Sequence, residues 1–372
     1  MAPQTQQRID DLLTFIGRSP VAAYAADAMQ HRLQSHGFSK LDPRDTWDLA
    51  AGERYFVRQG DAAVTAFRVG RKPPGESGFR LITAHTDSPA LKLKPRSETV
   101  SGGAVKIHVE VYGSAILPTW YDRDLSIAGR VLVEQDGRFE SRLVDLERPV
   151  AVIPSLALHM NRDVNKGIAI NAHTDLPAVL SASSQQLGDG SSSVLRRLIA
   201  RRLEVGAGRV RLGDLFLYDA TPPVRTGAEN ELFSTGRIDN LAMCHAALSA
   251  LTEVDSTPDA TVGAVFFNNE EIGSRTREGA DSMLVRDLLA RITTTQGGGQ
   301  EAFFRALARS LPAGSGRPVH RGLGHRATLH VFVAEGFVGV ERLLAGRQLC
   351  GTRHKRSVVM GRVHPGVGGH RR

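Results

Sequence analysis

The texture of this 372-residue chain changes twice, and nothing else in it constrains the fold as strongly. Up to about Pro95, and again from about Gly236, short strands alternate with helices. Gln6–Ile16 places Ile9, Leu12, Leu13 and Ile16 on one face at helical spacing. Ser19-Pro20 reads as the N-cap and first-turn proline of a second helix, which stops at Gly37. Between the two outer stretches the pattern is different. Val105–Tyr112, Ile127–Glu134, Arg138–Leu143, Val150–Ile153 and Arg209–Tyr218 read as short strands punctuated by Gly, Pro and Asp. The expectation is an α/β fold, a helix–sheet–helix sandwich made of residues 1–95 and 236–310, with a β-rich module inserted at 96–235.

Composition narrows the class. Hydrophobic residues make up 41% and charged residues 23% of the chain, as in an ordinary soluble protein. Cys244 and Cys350 are too few for a disulfide framework and suit a reducing cytosol. No apolar stretch reaches the ~20 residues that span a bilayer. Met1–Arg8 is polar and is followed by Asp10 and Asp11, unlike a secretory signal. A cytoplasmic protein with no membrane contact is expected. The net charge of +8 is uneven: residues 311–372 hold 11 of the 47 Lys and Arg but 2 of the 39 Asp and Glu, leaving the rest at −1. The basic character therefore belongs to the tail, and nucleic-acid binding by the whole chain is not expected.

Three short segments carry candidate chemistry. His85-Thr86-Asp87 directly follows the strand Phe79–Thr83, at the kind of strand end where ligands gather in open α/β sheets. A histidine with a carboxylate two residues on suits a metal ligand and the group that orients it. Asp239 stands at the start of the helix Asn240–Val254, where an Asp by itself is usually an N-cap. Glu270-Glu271 follows the apolar strand Val262–Phe267. Adjacent carboxylates repel, and a cation that neutralises one of them lets both persist. One can then ligate the metal while the other serves as general base. Alone, each segment would be a turn residue, a cap or a solvated acidic turn. Together they supply what a hydrolytic dinuclear zinc site needs, with a carboxylate bridging metals about 3.5–4 Å apart. Gly297-Gly298-Gly299 lacks the Lys-Ser/Thr of a phosphate-binding loop.

Ala84-His85-Thr86-Asp87-Ser88-Pro89, Ile153-Pro154-Ser155-Leu156-Ala157-Leu158-His159-Met160, Arg237-Ile238-Asp239-Asn240 and Asn269-Glu270-Glu271-Ile272-Gly273-Ser274 resemble, in order and spacing, the aspartyl aminopeptidase family of dinuclear zinc exopeptidases. The resemblance spans roughly residues 5–310 and implies a zinc-exopeptidase fold. It implies removal of N-terminal, preferably acidic, residues from peptide substrates, two Zn2+ per site, and a homo-oligomer built through the inserted module. By the same resemblance His85 and Glu271 are zinc ligands, Asp239 is the bridging ligand, Glu270 the general base and Asp87 the carboxylate supporting His85. His159 matches a family histidine that is either a metal ligand or an active-site group offered across a subunit contact; spacing alone would make it a core histidine. Ala172-His173-Thr174-Asp175-Leu176-Pro177 repeats the first motif inside the module and reads as a chance similarity in a loop.

After Ser310 the resemblance stops. The family's later Asp and His zinc ligands and its substrate loop have no counterpart in residues 311–372, a stretch with 12 Gly, 6 His and no Asp, Asn, Ile, Tyr or Trp. This reads as a shifted reading frame in a GC-rich gene, and as a tail docked loosely if at all. The alternatives are a catalytically inactive relative short of ligands, and a nucleic-acid-binding tail; one Lys and two Phe make a poor footprint for the latter.

Overall fold

The structure, a computed structural model, describes residues 3–167, 169–182 and 193–314. The reading-frame and docking expectations apply to residues 311–372, of which 315–372 lie outside the described residues. In chain order the first elements are α1 (Pro3–Gly17), α2 (Ala22–Ser35), β1 (Ser39–Leu41), β2 (Arg54–Gln59), β3 (Ala63–Arg68), α3 (Pro74–Ser77) and β4 (Phe79–His85). Next come β5 (Ala90–Ser101), β6 (Ala104–Tyr112), β7 (Leu125–Gln135), β8 (Arg138–Asp145), β9 (Ala178–Ser181), α4 (Val194–Arg202) and β10 (Val210–Asp219). The last are β11 (Val224–Thr226), β12 (Leu232–Ser234), α5 (Ile238–Thr252), β13 (Thr261–Phe267), α6 (Leu284–Thr295), α7 (Gln300–Arg309) and β14 (Leu311–Gly314). The described residues fall into two units: one is those up to Asp87 and from Pro222 to Gly314, the other is those within Ser88–Thr221.

The first unit is a helix–sheet–helix sandwich. Its sheet runs β1-β2-β3-β13-β4-β14. Alternation along the strands explains why both faces are covered. Val262, Ala264 and Phe266 of β13, with Ile82 and Ala84 of β4, pack under α1, α2 and α5. Val265 and Phe267, with Phe79 and Leu81, point the other way and pack under α6 and α7. A period of two with both sets apolar is the signature of a strand buried on both faces. β13 and β4 are parallel and in register, with Phe267 opposite His85, so the segments that follow them leave the sheet at the same edge.

Two local expectations are corrected here. Ser19 does not cap α2: its hydroxyl donates to the Phe15 carbonyl at the end of α1, and Val21 holds the N-cap position without a side-chain bond. A Ser one turn past a helix end can satisfy a C-terminal carbonyl as readily as it starts the next helix. The sheet also does not end at Ser310. Leu311–Gly314 pairs in parallel with Arg80–Thr83 as an edge strand. Pro312 is compatible with that place, because a proline removes a donor and edge strands can spare one.

The second unit is a six-stranded sheet, β8-β7-β10-β5-β6-β9, whose pairings are all antiparallel. Its core is Leu91, Ile107, Ile127, Val131, Leu215 and Leu217 under Leu195 and Ile199 of α4. β5 crosses Pro95, where the sequence suggests a boundary, because the ladder shifts register between Leu93 and Glu98 and the bulge takes the proline. Val150–Ile153 makes isolated bridges rather than a strand. The helix α4 has no counterpart in the sequence reading; nine residues following a Ser/Gly-rich stretch give little periodicity, but Ser193 accepts from the Arg196 N–H as its N-cap.

Candidate metal centre

His85 is the last residue of β4 and its side chain is only 4% exposed. The parallel partner β13 fixes what stands beside it. The Thr86 N–H donates to the Phe267 carbonyl at 2.8 Å, and the Thr86 hydroxyl donates to the carbonyls of Ala62 and Phe267, both at 3.0 Å. Asp87 is thereby turned toward the acidic segment after β13. Its carboxylate accepts the backbone N–H of Glu270 at 3.2 Å and of Glu271 at 3.1 Å. It also lies 3.3 Å from Nδ1 of His85, which donates to the Asp87 carbonyl at 3.0 Å. Two acceptors at Nδ1 place a proton there and leave Nε2 as the outward-facing nitrogen. From below, the buried Cys244 thiol donates to the His85 carbonyl at 3.0 Å, and its own ionisation is pushed up by burial and by Asp87 and Asp239.

Nε2 faces carboxylates. Asp239 Oδ1 is 3.2 Å away and Glu270 Oε2 is 3.8 Å away. Donor atoms of His85, Glu270 and Glu271 lie within 4.8 Å of one another, the one such group of three among the described residues. Asp239 is not the N-cap of α5. Arg237 occupies that position in the left-handed region, Asp239 and Asn240 depart from helical angles, and the Asp239 carboxylate reaches His85. The Asp239–Asn240 peptide is cis. The Glu270–Glu271 turn begins at Asn269, in the left-handed region, and closes with the Gly273 N–H on the Glu270 carbonyl.

The electrostatics show a shortage of positive charge. Burial opposes protonation of His85, but the carboxylates of Asp239, Asp87 and Glu270 outweigh it and push the imidazole up to about 10. Asp239 is held below its usual range, first by its bond to His85. Burial pushes Glu271 up to about 7; His85 opposes that rise, and Asp87, Asp239 and Glu270 add to it. The His85 imidazolium is a cation that these carboxylates share, and Glu271, the fourth carboxylate, holds its proton into the neutral range. A divalent cation would relieve that imbalance, and one nitrogen with several carboxylate oxygens is a donor set that suits zinc. The residues present fit such an ion.

The structure thus brings His85, Asp87, Asp239, Glu270 and Glu271 together within the first unit. His159 is not core: it lies in the second unit, exposed on the turn Leu158–Met160. His173 is also exposed there, on the turn 172–175, with its ring 6.1 Å from that of His108. Sequence reasoning missed Thr86 and Cys244 as supports for the site, and Asn268 and Glu278 behind the acidic turn. Cys244 is five residues past Asp239 on α5, a spacing that hides in the apolar face of the helix.

A helix–sheet–helix sandwich with a histidine–carboxylate cluster at the ends of parallel strands defines an α/β protein with a candidate metal centre. Comparison with known proteins gives the family. Residues 15–313 match the family described as Aminopeptidase I zinc metalloprotease (M18), and the chain belongs to it. It is 39% identical over 322 residues to the probable M18 family aminopeptidase 2 of Clostridium novyi, covering 85% of this chain and 74% of that protein. Among solved structures, the chain resembles that of the Ape4 and Nbr1 complex with a TM-score of 0.78 and 30% identity, spanning 82% of this chain and 62% of that one. The mApe1 dodecamer of S. cerevisiae matches with a TM-score of 0.69 and 26% identity, over 81% of this chain and 69% of that one. No helix among the described residues is long and apolar enough to cross a membrane.

Proposed function

We propose that this chain is a zinc aminopeptidase that removes single N-terminal residues from peptides, acidic residues preferentially, with two zinc ions at the His85 cluster. The observation that carries the reading is the Asp87 carboxylate, which fixes Nδ1 of His85 and the backbone of both Glu270 and Glu271, so that one nitrogen and two acidic side chains share a small volume. His85 through Nε2, Asp239 as the shared carboxylate and Glu271 would hold metal. Bound there, zinc supplies Lewis acidity toward the scissile carbonyl and charge stabilisation at its oxygen. Glu270 takes a proton at a carboxylate oxygen during attack by water and returns it to the leaving amine. Asp87 keeps the imidazole in one tautomer and orientation.

The chain forms a homo-oligomer, a reading that the dodecameric relative from yeast supports, and the second unit, Ser88–Thr221, is its assembly module. His159 acts either as a further ligand or as a group given to the site of a neighbouring copy, and H159A separates the two by losing zinc in the first case and keeping it in the second. The buried, unpaired Cys244 suits the reducing cytoplasm. Zinc content per chain, measured alongside hydrolysis of aspartyl, glutamyl and leucyl chromogenic substrates, tests the whole reading. Two zinc ions with faster acidic turnover are expected. Protein that holds no zinc and cleaves none of the three sinks it.

A further inference from the structure

The two segments that carry the site, after β4 and after β13, are joined by more than their own strands. Both are tied to a third segment, the turn Gly60–Ala62 between β2 and β3. The Ala62 carbonyl accepts the Thr86 hydroxyl at 3.0 Å, next to His85 and Asp87. The Ala62 N–H donates to Oε2 of Glu278 at 3.0 Å, and the Asp61 N–H donates to Oε1 at 2.9 Å. Glu278 lies on the far side of the Glu270–Glu271 turn and holds that turn at its root. Its Oε2 accepts the Asn268 side-chain amide at 3.0 Å, and its carbonyl accepts the Asn268 N–H at 3.0 Å. Other bonds run within the loop. The Ser274 N–H donates to the Asn269 carbonyl at 2.8 Å, and the Thr276 hydroxyl to the Asn269 side chain at 2.8 Å.

Gly60 shows how closely the carboxylate is seated. It has φ +62°, and a Cβ there would come within 1.8 Å of Glu278 Oε1. The turn therefore accepts the glutamate only because residue 60 has no side chain.

We propose that Glu278 is a positioning residue: by bonding the β2–β3 turn and Asn268 at once, it sets where Glu270 and Glu271 stand relative to His85 and Asp87. The inference rests on the proposed metal-dependent peptidase reading for its consequences and on geometry alone for the clamp. The bonds of Glu278 go to Asp61, Ala62 and Asn268, so its influence on the acidic pair passes through Asn268 and the loop backbone. What the clamp needs is acceptor oxygen, not charge. A glutamine keeps one acceptor oxygen for the backbone N–H groups, but its amide meets the Asn268 side-chain amide, whose own oxygen is held by the Asn269 N–H, so it restores the clamp only in part.

The test compares E278A, E278Q and D259N in the full chain. Asp259 pairs with Arg71 and Lys72 elsewhere in the same unit and serves as the structural control. Zinc affinity is read by chelator competition, turnover as kcat and KM separately, and loop opening by amide hydrogen exchange at 60–62 and 268–274. E278A should weaken zinc about 10–100-fold, the range for loss of a group that orients ligands. It should lower kcat with KM within about twofold, and speed exchange in both segments. E278Q should recover part of each loss and fall between E278A and wild type, and D259N should leave all three unchanged. If E278A keeps wild-type exchange in both segments, or alters them no more than D259N does, the clamp is refuted. Wild-type protein without zinc or turnover would refute the peptidase reading instead, and the exchange comparison would still decide the clamp.

Discussion

The tetrapeptide Ala-His-Thr-Asp occurs twice, at 84–87 and at 172–175, and the two copies live differently. At 84–87 the alanine and histidine end a strand buried on both faces, and a parallel neighbour stands in register beside them. The threonine bonds Ala62 and Phe267, and the aspartate reaches the amides of Glu270 and Glu271, 183 positions along the chain from the one and 184 from the other. At 172–175 the same residues form an exposed turn that closes on itself. Asp175 accepts the Thr174 hydroxyl at 2.7 Å and the Asn171 N–H at 2.8 Å, and the His173 N–H donates to the Asn171 side chain. Four identical residues make a candidate metal centre in one place and a local turn in the other. The cause is the partner strand: it turns short-range hydrogen-bonding capacity outward, to elements distant in sequence.

The sharpest way to break this comparison is at the acidic turn, which the first copy faces. Replacing Glu270 by Gln should cut turnover by about 10²–10⁴-fold, the usual cost of losing a general base, while zinc content holds. E271Q should lower zinc content before it lowers the turnover of loaded protein. Equal zinc loss in both variants would mean the two carboxylates have been given each other's roles.

Removing the histidines tests the pair directly. Calorimetric or chelator titration should show zinc binding weakened by more than about 100-fold in H85A, since loss of a ligand exceeds loss of the group that orients it. H173A should bind as wild type does. The aspartates should differ less: D87N is expected to cost about 10–100-fold in zinc affinity, because Asn keeps an acceptor but loses the charge at Nδ1. D175N should leave zinc affinity unchanged. A D175N effect as large as that of D87N would mean that the second copy takes part in the site.

The smallest effect is a titration. In zinc-free protein His85 should remain protonated across the neutral range and lose its proton near pH 10 by NMR. Its folded pKa lies above the ordinary 6.5, so its contribution to zinc-free stability is full below pH 6.5 and is lost as the pH rises through about 10. An ordinary titration near 6.5 would show that the carboxylates do not surround it as described.

Much of the site was legible from types and spacing. His85 and Glu270-Glu271 each follow an apolar run, and ligands collect at strand ends, so the sequence pointed to them before any fold was known. Asp239 was legible as a residue at a helix start, but its reach to Nε2 of His85 was not. The change of texture near Pro95 falls inside β5, whose ladder shifts register there, so the texture alone did not locate the strand. Thr86, Cys244 and Glu278 gave no sequence signal: a hydroxyl, a thiol on an apolar helix face and one more acid in a charged loop look ordinary until their partners are in place.

The sequence by itself determined the periodicities. Runs such as Thr261–Phe267 must be strands buried on both sides, helices must cover them, and the inserted stretch must build a sheet of its own. Those are properties of neighbours along the chain, where side-chain direction follows from backbone geometry. Only the tertiary structure decided that β4 pairs with β13 in a register that sets His85 opposite Phe267, and that of two identical tetrapeptides one meets the acidic turn. Register between strands far apart in sequence depends on the packing of both faces at once, and no local pattern encodes it.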